Sequence, residues 1–142
     1  MNTAAPGFST LGEAIVEHIA EAVIYANREG SIERWNAAAA TIFGFSAAEA
    51  IGQSLDLMIP EHLRAAHWRG FDAAMNSGAL RLNGRATLTR GLHKSGRKLY
   101  VEMSFALVRD GTGAVIGSVA VARDVSERVE REKIARAAAP SG

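Results

Sequence analysis

"GRATLTRGLHKSGRKLYVEMSFALVRDGTGAVIGSVAVARDV", residues 84–125, decides the fold class. Three apolar runs are separated by "HKSGR" (93–97) and "RDGTGA" (109–114), both rich in residues that turn a chain. In the middle run Leu99, Val101, Met103, Phe105 and Leu107 alternate with Tyr100, Glu102, Ser104, Ala106 and Val108. Successive side chains on a strand point to opposite faces, so this period places five apolar residues on one face. A strand built this way must be covered by something apolar, and the residues upstream supply it.

Working back towards the amino terminus, "AVIYANREGSIERWN" (22–36) reads as a hairpin. Val23, Ile24 and Tyr25 form one strand, "NREG" the turn, and Ile32 and Trp35 the other. Asn36 is placed to cap a short helix, "AAAATIF", that Gly44 ends. Ser46 and Glu49 have the spacing of a capping box. Pro60 opens a longer helix in a favourable first-turn position, with Glu61 at its positive end, and "NSG" (76–78) stops it. Ser9 or Thr10 caps an earlier helix running to about residue 20, with Leu11, Ile15 and Ile19 as its apolar stripe, behind a small polar tail over 1–8. The closing "SERVEREKIARAAA" (126–139) is charged and helical, with Val125 and Val129 four apart. It reads as a linker or dimerisation helix outside the core. The order strand–strand–helices–three strands predicts an α+β domain: one five-stranded antiparallel sheet with helices on one face, and a flanking helix at each end. The divisions expected are 1–20, 21–124 and 125–142.

Composition narrows the function classes. The 142 residues are 48% hydrophobic and 22% charged with a net charge of +1, an ordinary balance for one globular domain. The arginines are dispersed, which argues against a nucleic-acid partner. With no cysteine, disulfides, thiolate metal sites and cysteinyl adducts are excluded, and the chain suits the cytoplasm. The amino terminus has neither a basic n-region nor a long apolar stretch, so no membrane span is expected. No phosphate loop, zinc-protease signature, nucleophile elbow or nucleophile–base set occurs, and the chain is not expected to be an enzyme.

One helical stretch stands out chemically. In "LRAAHWRGF" (63–71), Leu63, His67 and Phe71 are four residues apart and share one face, with Ala66, Gly70 and Ala74 beside them. Arg64, Arg69 and Asp72 are expected to point elsewhere. An imidazole in the middle of an apolar face is a packed core residue, a pH-sensitive group, or an axial metal ligand. His18 and His62 read as surface groups and His93 as a turn residue. Met58 and Met75 read as core filler.

The runs "GSIERWNAAAATIFGFSAAEAIGQSLDLMIP", "HKSGRKLYVEMSFALVRD" and "GSVAVARDVSER" together resemble the PAS family, the sensory modules of bacterial signalling proteins. The resemblance spans roughly residues 12 to 130, and Asp124-Val125-Ser126 is similar to the motif joining the last PAS strand to a signalling helix. It implies a sensory domain over 21–124, an apolar chamber between the helices and the 99–107 run, and a signal passed to the terminal helix. A sharper similarity is to the heme-binding PAS domains of bacterial oxygen sensors. There a histidine on the longer helix, after a segment like "DLMIPEHLRAAH", coordinates the iron, and His67 stands at that position. The resemblance then implies heme b with His67 as metal ligand and a cofactor pocket of Phe71, Arg85, Thr87, Val101, Met103 and Phe105. In one respect the chain departs: oxygen sensors often carry an arginine where Thr87 stands. Arg85, alternating onto the same strand face, is the expected substitute. The other reading is a heme-free PAS domain that senses a different small molecule or mediates dimerisation. The cysteine-containing flavin photoreceptor motif is absent. A homodimer through the flanking helices, built on Leu11, Ile15, Ile19, Val125 and Val129, is expected.

Overall fold

The computed structural model describes residues 10–80 and 84–140, so the expected tail over 1–8 and a cap at Ser9 lie outside the described residues. Chain order is α1 (Leu11–His18), β1 (Ala22–Asn27), β2 (Ile32–Trp35), α2 (Ala37–Phe43), α3 (Ala47–Ala50), a 3-10 turn (Leu55–Met58), α4 (Glu61–Ser77), β3 (Thr87–Leu92), β4 (Lys98–Arg109), β5 (Val115–Asp124) and α5 (Ser126–Ala138). The strands form one antiparallel sheet in the order β2-β1-β5-β4-β3, the α+β class expected. The last strand therefore sits between the first and the fourth. Ala22 at the start of β1 faces Ala122 near the end of β5. Both flanking helices thus join the sheet at the same end, on neighbouring strands, where Glu21 and Arg123 pair at 2.9 Å.

Local signals act where the sequence put them. Thr10 caps α1, Asn36 caps α2, Ser46 and Glu49 close a capping box on α3, and Gly44 and Gly78 end α2 and α4 in the left-handed conformation. Asn36 does more than cap. It is buried, its Oδ1 accepts from the backbone N–H of Ala39 and of Val23, and its Nδ2 lies within hydrogen-bonding distance of the carbonyls of Val16 and Glu21. One amide side chain thus ties together the end of α1, the start of β1 and the start of α2, each of which would otherwise bury unpaired backbone groups.

α2, α3 and α4 cover one face of the sheet. The closed part of the core holds Trp35 and Phe43, their rings 5.6 Å apart, with Ile32, Leu55, Met58, Leu99, Val101 and Met103. Gly30 is a fixed point: it has φ of 80°, and a Cβ there would lie 2.2 Å from Cη2 of Trp68. The turn after β1 can meet α4 only because that residue has no side chain. Beyond β2 the segment Gly52–Leu55 bonds to the carbonyls of Ile32 and Gly30, which covers part of the strand edge.

The structure corrects three expectations about the helices. α1 stops at His18 rather than near 20, and Pro60 is the N-cap of α4 rather than a residue of its first turn. More consequentially, α5 is not a free linker. Val125 and Val129 are each 6% exposed, buried within this chain. Arg128 pairs with Glu102, and Lys133 donates to the Tyr100 hydroxyl at 2.7 Å and lies 4.6 Å from its ring. Tyr100 and Glu102 point to the face of β4 opposite Leu99 and Val101, so α5 lies against the sheet face that the other helices leave open. Leu11, Ile15 and Ile19 differ: they stay 60%, 54% and 39% exposed.

Candidate functional site

α4 spans seventeen residues, and one of its faces carries Ala66, Gly70, Ala73 and Ser77 at the i, i+4, i+7, i+11 spacing. Phe71, Ala74 and Met75 on the adjoining face are buried towards the sheet. Its C-terminal half is held by arginines from elsewhere: Arg28 donates to the carbonyls of Met75 and Val115, and Arg109 to those of Gly78 and Gly113. Cations suit the Met75 and Gly78 carbonyls, which lie at the negative end of the helix dipole. The helix end is thereby tied down, and its small-residue face, itself exposed, borders open space. A cavity of about 750 Å³ results, within the range of small-molecule sites.

Strand register explains the floor. Phe105 lies opposite Ala120, which lies opposite Ile24; one step along, Leu107 lies opposite Ser118, which lies opposite Ala26. All six line the cavity, as two parallel rows across β4, β5 and β1. His67 and Phe71 line it from α4, with Leu55 and Met58 from the 3-10 turn at one end. Arg85, in the chain before β3, and Arg69 are also in its wall. The wall is predominantly apolar, and its ionisable residues are His67, Arg69 and Arg85 alone among the described residues.

His67 is the chemically unusual member. Its ring meets Trp68 edge-on at 4.7 Å and lies 6.0 Å from Phe71. Burial pushes its pKa below the usual histidine value, more than the charges of Asp56 and Asp72 raise it, so the neutral imidazole is favoured. Nδ1 is buried and has no hydrogen-bond partner. Trp68 is half-buried and anchored, donating from Nε1 to Asp56 at 2.8 Å.

Of the residues expected in the pocket, His67, Phe71, Arg85 and Phe105 line this cavity, whereas Thr87, Val101 and Met103 do not. The reason is register. Met103 pairs with Ala122, one row below Phe105, and Val101 pairs with Asp124, two rows below. At two residues per row, these stand about 7 and 13 Å away along the strand. There they are closed into the core, with Thr87 beside Met103 on β3. Arg85 reaches the wall from coil, since β3 begins only at Thr87; strand alternation does not place it. Arg69, expected to point away from this face, borders the cavity, whereas Arg64 is tied to the Ile59 carbonyl at 3.0 Å and does not line it. The small face of α4 was open to sequence reasoning as a helical period, but an apolar-stripe search passes over Ala, Gly and Ser. Among the described residues no group of three His, Asp or Glu side chains is arranged to hold a metal ion, and no helix is long and apolar enough to cross a membrane.

The sheet order, the clamped helix over the sheet and the flanking helices at one end together define the fold class. A family model for the PAS fold matches residues 10–125, and the chain belongs to the PAS family of sensory, signal-transducing domains. The sequence matches none of the curated proteins. Among solved structures, a PAS domain from Colwellia psychrerythraea superposes with a TM-score of 0.71 at 20% identity, covering 81% of this chain and 94% of that one. An RNA-binding light-oxygen-voltage receptor has a TM-score of 0.67 at 23% identity, covering 93% of this chain and 40% of the other. The PAS domain of the Cronobacter turicensis quorum-sensing receptor RpfR, in complex with C12:0, has a TM-score of 0.61 at 17% identity, covering 78% and 98%. At these identities the likeness is one of fold.

Proposed function

We propose that this PAS domain senses a small, largely apolar molecule that enters the cavity beneath α4, and that occupancy is passed along β1 and β5 to α1 and α5. The observation carrying this is the continuity of the floor. Ile24, Ala26, Ser118 and Ala120 line the cavity on the two strands whose ends carry the flanking helices. Ligands named for similar folds differ widely, including C12:0 and ethanol, so the family does not choose the occupant. Gly70→Leu tests the site. A Cβ at Gly70 meets no atom within 4 Å, so leucine extends into open space and improves the helix. Native mass spectrometry of the purified protein should show a bound molecule in the wild type and none in this variant. Equal occupancy in both would reject the cavity.

A second reading, heme b held through His67, is favoured by a half-buried imidazole on the cavity wall whose neutral form is stabilised by burial. The residues present fit such a group in two respects: an imidazole in coordinating form, and Arg69 and Arg85 as partners for propionates. They lack an acceptor for the second ring nitrogen, the usual support of a ligating histidine. When bound, heme would supply an iron able to take a diatomic gas, and Phe105 and Leu107 would give the pocket an apolar floor. Reconstitution with hemin should give a Soret band that His67→Ala abolishes and His18→Ala, His62→Ala and His93→Ala leave intact. An unchanged band in His67→Ala sinks the ligand assignment. We also propose that the domain self-associates through α1 and its C-cap, where Leu11, Ile15 and Ile19 are exposed; Val125 and Val129, already buried, take no part.

A further inference from the structure

The cavity's charges are all of one sign. Arg69 enters its wall from α4 and Arg85 from the chain before β3, and no Asp or Glu is among the described lining residues. Both arginines are exposed, and neither takes part in an ion pair among the described residues. Other arginines bordering the same helix are committed: Arg28, Arg64 and Arg109 each donate to backbone carbonyls. The remaining polar side chains of the described wall, His67, Ser77 and Ser118, bring no negative charge. An apolar floor of Ile24, Ala26, Phe105, Leu107 and Ala120 with two uncommitted guanidinium groups on the wall is a surface with two chemistries. One part takes hydrocarbon; the other takes an anion.

We infer that the occupant is an apolar molecule carrying a carboxylate, its body on the floor formed by the Phe105 and Leu107 rows and its carboxylate paired with Arg69 and Arg85. This deepens the ligand-sensing reading above and rests on it. Guanidinium groups present planar forks of donors that match a carboxylate, which favours this anion over a neutral polar head. Because both arginines are solvent-exposed, the attraction is partly screened. It therefore selects among apolar ligands while burial of the body supplies most of the affinity. A hydrocarbon-chain acid and a porphyrin with propionate arms share this chemistry, and the probes below separate them.

The test titrates the intact chain with dodecanoate, dodecan-1-ol and hemin by calorimetry or quenching of tryptophan emission. Dodecanoate should bind about tenfold more tightly than the alcohol at low salt, the difference narrowing as salt rises. The Arg69→Ala/Arg85→Ala double variant should bind dodecanoate no better than the alcohol, while its affinity for the alcohol is unchanged. Equal affinities in the wild type, or a preference that survives in the double variant, overturn the inference and leave the cavity standing. Gly70→Leu should weaken both alkyl ligands; if it weakens neither, the cavity reading fails as well. Hemin binding that falls in the double variant, with no binding of dodecanoate, assigns the same carboxylate contact to a porphyrin. Hemin binding that ignores the double variant, with no binding of dodecanoate, overturns the contact.

Discussion

The inner face of β4 is one alternating run with two different fates. At Leu99, Val101 and Met103 it is closed: the three are buried in contact with the core that holds Phe43 and Met58. At Phe105 and Leu107, two and four residues beyond Met103, it is half-buried and forms the floor of a cavity. The residues themselves are equally apolar. What differs is the partner: bulky side chains of α2 and the 3-10 turn lie over the first part, and the Ala-Gly-Ala-Ser face of α4 over the second. The proposed ligand site is a place where the covering helix presents only small residues, while Arg28 and Arg109 tie down the C-terminal end of that helix.

The most severe way to break this comparison is to truncate each half. Leu99→Ala should cost about 3 kcal/mol, because it leaves a void that dense packing cannot fill. Leu107→Ala should cost about 1 kcal/mol or less, since its side chain already borders open space. Urea denaturation of both variants decides it, and equal losses would mean the two halves are packed alike. Next in size is Gly30→Ala. Both its positive φ and the Trp68 ring in the way oppose a side chain, so a loss of about 2 kcal/mol is expected in the same measurement. Trp68→Ala in that background should recover part of the double loss, by non-additivity of contacting residues.

Gly70→Ala sharpens the comparison in the opposite direction. Its site is open and helical, so the domain should gain about 0.5–1 kcal/mol. A loss would show that α4 packs more closely on the sheet in solution than the cavity implies.

A smaller effect follows from pH. Burial lowers the His67 pKa in the folded state, so the unfolded chain takes up the proton first as pH falls below about 6.5. Stability attributable to this residue is therefore intact above that value, falls as pH drops towards the depressed folded value, and levels off below it. His67→Phe should flatten this part of the stability profile below neutral pH. An unaltered slope would show that the imidazole is solvated in the folded protein. The smallest consequence for the fold concerns α1: Leu11→Ser/Ile15→Ser should leave thermal stability nearly unchanged while shifting the mass by light scattering from dimer to monomer. If the wild type is monomeric at high concentration, self-association through α1 is wrong.

Much of the fold was legible because its signals are local. Turn residues at 93–97 and 109–114, the caps at Thr10, Asn36 and Ser46, and period-two alternation over 99–107 each act over a few residues, and each appears where the sequence puts it. His67, Phe71, Arg85 and Phe105 were likewise within reach, through helical spacing and the family's pattern. Sequence alone could not show which rows of β4 would be covered and which left open, because that depends on the register of β4 against β5 and β1. A strand's alternation says which face a residue is on, never what lies above it. The same limit explains Val125 and Val129, whose spacing fits a dimer seam as well as the intramolecular docking that Tyr100 and Glu102 draw them into. Face, turn and cap were determined by the sequence, since they follow from nearest neighbours along the chain. Depth, occupancy of space and the choice between partners were decided by the tertiary structure, since they depend on residues far apart in sequence meeting at one place.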